Sequence, residues 1–354
     1  MTALKDLLLR QIRAQGPITV AEYMTQCLLH PQHGYYTTRD PLGTGGDFTT
    51  APEISQMFGE MLGLLVAQVW ADQGRPTPFT LAELGPGRGT LMADALRATA
   101  RVPGFHAAMR LHLIEASPTL RKLQITLLSD HAPEFHDTPD TLPEQPLFIL
   151  ANEFFDALPI RQFMRKGAGW AERMVGHDGH DLCFGLSPAA PLAQLAHRLD
   201  DTKEDQMVEI CPAFAPILST LSARIMAHGG FALVVDYGDW RSRGDTLQAL
   251  HKHSFDAPLA HPGAADLTAH VDFEALALAA APLRATKLTP QGVLLERLGI
   301  TARAQALAAG LTDAALQFHV AAHRRLTHPQ EMGQLFKTMA FYPPTADAPP
   351  GFDE

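Results

Sequence analysis

The stretch Phe79-Thr-Leu-Ala-Glu-Leu-Gly-Pro-Gly-Arg-Gly89 constrains the fold more than any other part of the chain. A short apolar strand runs into a carboxylate, then a turn with glycine at every second position, then a helical pattern over residues 90–101. Gly85, Gly87 and Gly89 allow dihedrals that a Cβ forbids and let a ligand approach bare backbone. Strand, glycine turn and helix N-terminus together predict a nucleotide-cradling site at the carboxyl edge of a parallel sheet. Two ligands suit that arrangement, a dinucleotide or S-adenosylmethionine. The dinucleotide pattern wants Gly or Ala three residues beyond its second glycine, where Thr90 stands. Glu83, ahead of the first glycine, attracts an ammonium and repels a pyrophosphate. Spacing and charge both favour S-adenosylmethionine.

Around this motif the pattern alternates as in an α/β, doubly wound sheet. Strands are predicted at 79–84, 110–115, 147–151 and 230–236, and helices at 90–101, 118–129 and 213–227. Residues 1–78 read as an N-terminal helical and lid region with a loop-rich centre. The core spans 79–240 and is interrupted by antiparallel strands at about 162–186, separated by glycine-rich turns. A loop region rich in Gly, His and Pro opens the segment 241–342, with helices at 273–281, 291–298 and 301–309 lying on the substrate side. Residues 343–354 read as a disordered tail.

Composition narrows the function by exclusion. The formal charge of −10 argues against sequence-independent nucleic-acid binding, which needs clustered Lys and Arg. It suits an enzyme acting on small molecules or on a basic protein segment. Cys27, Cys183 and Cys211 stand far apart, without the spacing of a disulfide framework or zinc cluster. Seventeen histidines form no His-Glu-x-x-His or other metal spacing, so no metal is expected. No apolar run approaches the roughly 18–20 residues of a membrane span. The amphipathic start, with Leu4, Leu7, Leu8 and Ile12 on one face, reads as a packed helix rather than a signal peptide, which predicts a cytoplasmic protein.

Further candidates cluster near the glycine turn. Glu115 closes the strand after it, where a carboxylate can accept both hydroxyls of a ribose. The strand ending at Ala151 opens into Asn152-Glu-Phe-Phe-Asp-Ala-Leu-Pro159, which faces the same crevice. With Asn152 capping a helical turn, Glu153 and Asp156 project to one side, and Phe154 and Phe155 supply apolar walls. Gly45-Gly-Asp-Phe-Thr-Thr-Ala-Pro-Glu-Ile-Ser55 suits a helix start, and can also fold over the cofactor with Asp47 or Thr50 touching it.

These blocks resemble a known family, the MidA-like proteins, or mitochondrial complex I assembly-factor methyltransferases, and their bacterial relatives. The resemblance rests on His33-Gly-Tyr-Tyr36, Gly46-Asp-Phe-Thr-Thr-Ala-Pro-Glu-Ile-Ser55, the glycine motif, Glu115-Ala-Ser-Pro118 and Asn152-Glu-Phe-Phe-Asp156. It continues through Asp236-Tyr-Gly238, Asp266-Leu-Thr-Ala-His-Val-Asp-Phe273, Thr289-Pro-Gln-Gly292 and Met332-Gly-x-x-Phe-Lys337. It implies a class I Rossmann-like methyltransferase fold, S-adenosylmethionine as cofactor, and an arginine on a core subunit of respiratory complex I as acceptor. Carried over, it places cofactor contacts at Glu83, Gly85, Gly87, Gly89, Glu115 and the Asn152–Glu153 region, and a lid over Gly46–Thr50 that includes Asp47. The missing mitochondrial presequence points to a bacterial member.

Arginine chemistry then assigns Glu153 and Asp156. A guanidinium has a pKa of about 13.8, so free base is negligible at neutral pH. Paired carboxylates hold it by charge-assisted bonds and draw its charge from the attacking nitrogen. His253, His261, His270 and Asp272 are secondary candidates for the substrate entrance. Two other functions compete: methylation of a small molecule, and an assembly chaperone that binds cofactor without needing catalysis.

Overall fold

The computed structural model describes residues 2–38 and 50–353. Its central sheet contains, in chain order, β1 (Phe79–Leu84), β2 (Met109–Ile114), β3 (Glu134–His136), β4 (Leu147–Asn152), β5 (Gly230–Asp239) and β6 (Phe336–Tyr342). Their spatial order is β3-β2-β1-β4-β5-β6, with Arg284–Ala285 beyond β6. β3 to β5 of that row run parallel, and β6 returns antiparallel to β5. Strand order reverses at β1, so the crevice beyond the carboxyl ends of β1 and β4 is the topological switch point.

Every residue of β1 and of β4 is buried, as expected of parallel strands covered on both faces. Alternation divides the interior into two cores. Ala82, Leu84, Ile149 and Ala151 face one, shared with the helices Ala3–Gln15, Val20–Leu29 and Phe214–His228. Phe79, Leu81, Phe148 and Leu150 face the other, under Gln56–Asp72 and Thr90–Thr99. In the second core a Cβ on Gly63 would lie 2.5 Å from Ala95 Cα, so those two helices pack backbone against backbone only because glycine stands there.

The accessory elements are more extensive than the sequence suggests. The insertion expected at 162–186 is a five-stranded antiparallel sheet of Arg161–Lys166, Gly169–His177, Leu182–Leu186, Met207–Ile210 and the distant Ile18–Thr19. The expected loop region after residue 240 contains a three-stranded sheet, Gln248–His251, Ser254–Asp256 and Asp266–Thr268. The helix Asp313–Thr327 escaped the sequence reading because it buries only Ala322 and Leu326, too little for a clear periodicity. Residues 343–353, expected as a disordered tail, instead lie against the body. Ala346, Ala348 and Phe352 pack on the second core, and Arg297 bonds the Gly351 carbonyl and the Asp353 carboxylate. Among the described residues no helix is long and apolar enough to cross a membrane, and the three cysteines are free.

Candidate active site

A cavity of about 520 Å³ opens at the switch point, within the range of small-ligand sites. Its wall brings together Glu83, Gly85, Gly87, Glu115, Asn152, Glu153, Asp156 and Thr50. Gly89 stands just behind, capping the helix Thr90–Thr99 with a left-handed φ of 87°. Gly46 and Asp47 lie outside the described residues.

The glycine turn has the shape its sequence predicts. Gly85 and Gly87 have φ of 62° and 55°, in the region that disfavours a side chain. A Cβ on Gly85 would also meet the Phe154 ring at 2.9 Å. Gln124, which carried no signal in the sequence, pins the turn from the next helix. Its amide donates to the Gly87 carbonyl at 2.6 Å and to a Glu115 oxygen at 3.2 Å. The other Glu115 oxygen accepts the Ser117 N–H at 2.7 Å.

The turn after β4 differs from expectation. Asn152 caps no helix, and Glu153 adopts a left-handed φ of 51° in an irregular bend. What holds the bend is Asp236 near the end of β5, a fully buried residue. One of its oxygens accepts the N–H groups of Phe155 and Asp156 at 3.0 and 3.2 Å, and the other that of Tyr237 at 2.9 Å. Tyr237 hydrogen-bonds Asp156 and Thr268 through its side chain. Glu153 Oε1 accepts the Ala51 N–H at 3.3 Å, and Thr90 donates to Glu53 at 2.5 Å, so the short helix Ala51–Ile54 is tied to both sides of the cavity. The secondary candidates take local roles, and none lines the cavity. His261 pairs with Asp256, His270 packs edge-on against Tyr237, Asp272 caps Phe273–Ala279, and His253 occupies a hairpin turn with φ of 62°.

Electrostatically the wall is an acid store. Burial, then the neighbouring charge of Glu115, pushes the Glu83 carboxyl up to about 8. Burial, then Asp156, does the same to Glu153, also to about 8, and burial lifts Asp156 to about 6. Glu115 is raised by burial against the opposing pull of Ser117 N–H and Gln124. Among the described residues, Glu83 Oε2, Asn152 Oδ1 and Asp156 Oδ1 are buried acceptors that find no hydrogen-bond partner. Orphaned acceptors in one cavity call for a ligand rich in donors and positive charge. A sulfonium nucleoside with an ammonium group and ribose hydroxyls fits that demand, and the bare glycine backbone leaves room for it. Outside this cavity, His112, Glu134 and His136 bring ligand atoms within 4.8 Å of one another across β2 and β3. The two imidazoles there face each other at 2.9 Å in a hydrogen bond, and Thr141 fixes His136 from behind at 2.7 Å.

Comparison with known proteins gives the same chemistry. Residues 61–292 match the family described as S-adenosyl-L-methionine-dependent methyltransferase. The chain belongs to that family. The mitochondrial protein arginine methyltransferase NDUFAF7 of Rattus norvegicus is 37% identical to this methyltransferase, over 95% of this chain and 83% of its own. The Homo sapiens protein of that name is 36% identical, over 95% and 82%. A superfamily member from Burkholderia thailandensis, solved with S-adenosyl-homocysteine, is 29% identical with a TM-score of 0.83, over 99% of this chain and 94% of that one. The methyltransferase uses S-adenosylmethionine as its cofactor.

The raised carboxyls give a stability signature. Between the ordinary 4.5 and about 8, folded Glu83 keeps a proton that the unfolded chain has lost. Its contribution to stability is full below 4.5 and is lost as pH rises through about 8. The thermal midpoint of the ligand-free methyltransferase is therefore expected to fall between about pH 5 and pH 8, and Glu83→Gln to flatten part of that fall. Calorimetry across that range checks it; an unchanged slope in the variant rules the explanation out.

Proposed function

We propose that this methyltransferase methylates an arginine of a protein, and that the protein is a subunit of the respiratory NADH dehydrogenase whose assembly the modification aids. The observation that carries the acceptor class is the Glu153–Asp156 pair, the first half-buried and the second buried, beside the cofactor's glycine turn. Relatives at 36–37% identity named as protein arginine methyltransferases support it. The complex I subunit follows from the resemblance of the sequence blocks, and with it a bacterial cytoplasmic setting.

In this reading Glu83 receives the ammonium of the cofactor's methionine moiety and Glu115 the ribose hydroxyls. Gly85, Gly87 and Gly89 give the bare backbone, while Asn152 and Thr50 close the remaining sides. The segment of Gly46 and Asp47 completes the lid. Bound S-adenosylmethionine supplies an electrophilic methyl group, whose bond to sulfur breaks as the bond to the acceptor nitrogen forms. In-line displacement asks the protein chiefly for position. Glu153 and Asp156 hold the guanidinium edge and keep its charge away from the attacking nitrogen. One of the two carboxylates then takes the proton that this nitrogen gives up.

Glu153→Gln is expected to lower transfer roughly 10²–10³-fold, the scale of one lost electrostatic contact in a transition state. S-adenosylhomocysteine affinity should change by less than about threefold. Calorimetric titration separates the two, and a parallel collapse of cofactor affinity would make Glu153 a cofactor ligand instead. The substrate is tested by mass spectrometry of NADH dehydrogenase from cells with and without the gene. Loss of a methyl-arginine supports the reading; unchanged methylation with failed assembly replaces it by a chaperone role.

The acceptor's pH dependence follows from the same acids. In the free site Glu153 and Asp156 titrate at about 8 and about 6, and a cation favours their ionised forms. Binding of a cationic acceptor therefore releases protons and strengthens as pH rises from about 6 to about 8. A pH profile of kcat/KM for the acceptor should rise across that window, and a flat profile rejects the clamp.

A further inference from the structure

His112 of β2 and Glu134 of β3 are register partners, and His136 stands two residues further along β3. Alternation along a strand therefore puts all three side chains on one face of the sheet. His112 is 1% exposed, whereas Glu134 projects into solvent. Ligand atoms of the three lie within 4.8 Å of one another. A sequence motif does not announce the group, because 24 residues separate the histidines and only strand pairing joins them.

The hydrogen bonds fix which atoms carry protons. Thr141 gives its one hydroxyl proton to the Thr138 carbonyl at 3.2 Å, so its oxygen accepts from His136 Nδ1 at 2.7 Å. His136 Nε2 is then a lone pair, aimed at His112 Nδ1 from 2.9 Å. Metal-bound histidines characteristically donate their outer N–H to a fixed acceptor in this way. The separation fits as well. Two nitrogens bound to one metal at about 2.0–2.1 Å stand about 2.9 Å apart at a right angle and about 3.3 Å at a tetrahedral one. Glu134 brings an oxygen to 4.0 Å from His112 Nδ1, and its exposed side chain can turn closer. Around His136 the charges of Arg121 and Arg224 oppose a cation, while those of Glu134 and Asp137 favour it.

We propose that His112, Glu134 and His136 bind a divalent transition cation of the zinc class, which staples the edge strand β3 to β2. Two imidazoles and a carboxylate suit such an ion better than magnesium or calcium, which take oxygen ligands. Without the ion, His112 Nδ1–H donates to His136. With it, that proton sits on His112 Nε2 and both facing nitrogens give their lone pairs to the metal. The staple matters because β3 has only three residues, and its His136 carbonyl holds the Glu115 N–H at 3.1 Å. The chain that follows, Asp137 through Asp140, lines the cofactor cavity. The ion thus fixes a wall and takes no part in methyl transfer.

The test is calorimetric titration of Zn²⁺, with Mg²⁺ as control, into the untagged, chelator-stripped protein. Wild type is expected to take one Zn²⁺ with a Kd of about 1–10 μM and to bind Mg²⁺ far more weakly. Glu134→Gln should weaken Zn²⁺ about tenfold. Thr141→Val, which removes the acceptor that orients His136, should weaken it roughly 10- to 100-fold. His136→Gln should abolish measurable binding. Co²⁺ should give the visible absorption of a nitrogen- and oxygen-ligated ion, without the thiolate band that any of the three cysteines would add. Saturating Zn²⁺ should raise the thermal midpoint of wild type and leave that of His136→Gln unmoved. No Zn²⁺ binding by wild type, undiminished affinity in Glu134→Gln, equal affinity for Mg²⁺ or a thiolate band each overturns the site, and an unmoved wild-type midpoint overturns the staple. If His136→Gln does not fold, Glu134→Gln and Thr141→Val decide, since both positions are exposed.

Discussion

The site is built on an unfavourable act, the withdrawal of several carboxylates from water along one edge of a sheet. Glu83 and Asn152 near the ends of β1 and β4, Asp236 on β5 and Glu115 just past β2 all sit under 9% exposure. Each strand end is where a parallel sheet leaves backbone groups unpaired, and where a ligand can reach them. The cost of so many acids is met in two ways. Asp236 and Glu115 are bonded by backbone N–H groups, so they do architectural work. Glu83, Glu153 and Asp156 are pushed by burial toward their protonated forms, Glu153 against the pull of the Ala51 N–H and Asp156 against that of Tyr237.

That division of labour explains the irregular bend after β4. A helical turn there would have been the cheaper backbone. Instead the left-handed Glu153 is over-determined by the Asp236 carboxylate and by the Val235 carbonyl, which accepts the Glu153 N–H at 2.9 Å. Strain of this kind persists where surrounding bonds fix it, and it is concentrated at working sites. The bend aims two acids at the cavity while Phe154 packs against the Cβ-free face of Gly85. Chemistry and backbone conformation are therefore one feature.

The methyltransferase core was legible because local signals there agree. β1 was read residue for residue, and the glycine turn, Glu83 and Glu115 fell where the pattern put them. The bend was misread because its determinant, Asp236, lies 80 and 81 residues from the N–H groups it binds. Gln124 was invisible for a similar reason: a glutamine on a helix looks solvated until its helix docks on Gly87. Tyr36, Asp236 and Asp266 all stood within the motif blocks, but nothing in the spacing tells a partner from a cap. The polar β3, Glu134–His136, is too short to announce itself as a strand.

The long reach of the N-terminal region has a consequence for synthesis. Thr2 bonds the Pro262 carbonyl, Tyr23 the Pro258 carbonyl and Tyr36 the Asp266 carboxylate, across separations of 260, 235 and 230 residues. During synthesis Ala3–Gln15 and Val20–Leu29 thus emerge long before these partners do. Until the small sheet emerges, the apolar faces of Ala3–Gln15 and Val20–Leu29 lack part of their cover. The pocket's wall is finished late, so ligand cannot rescue a partly made molecule.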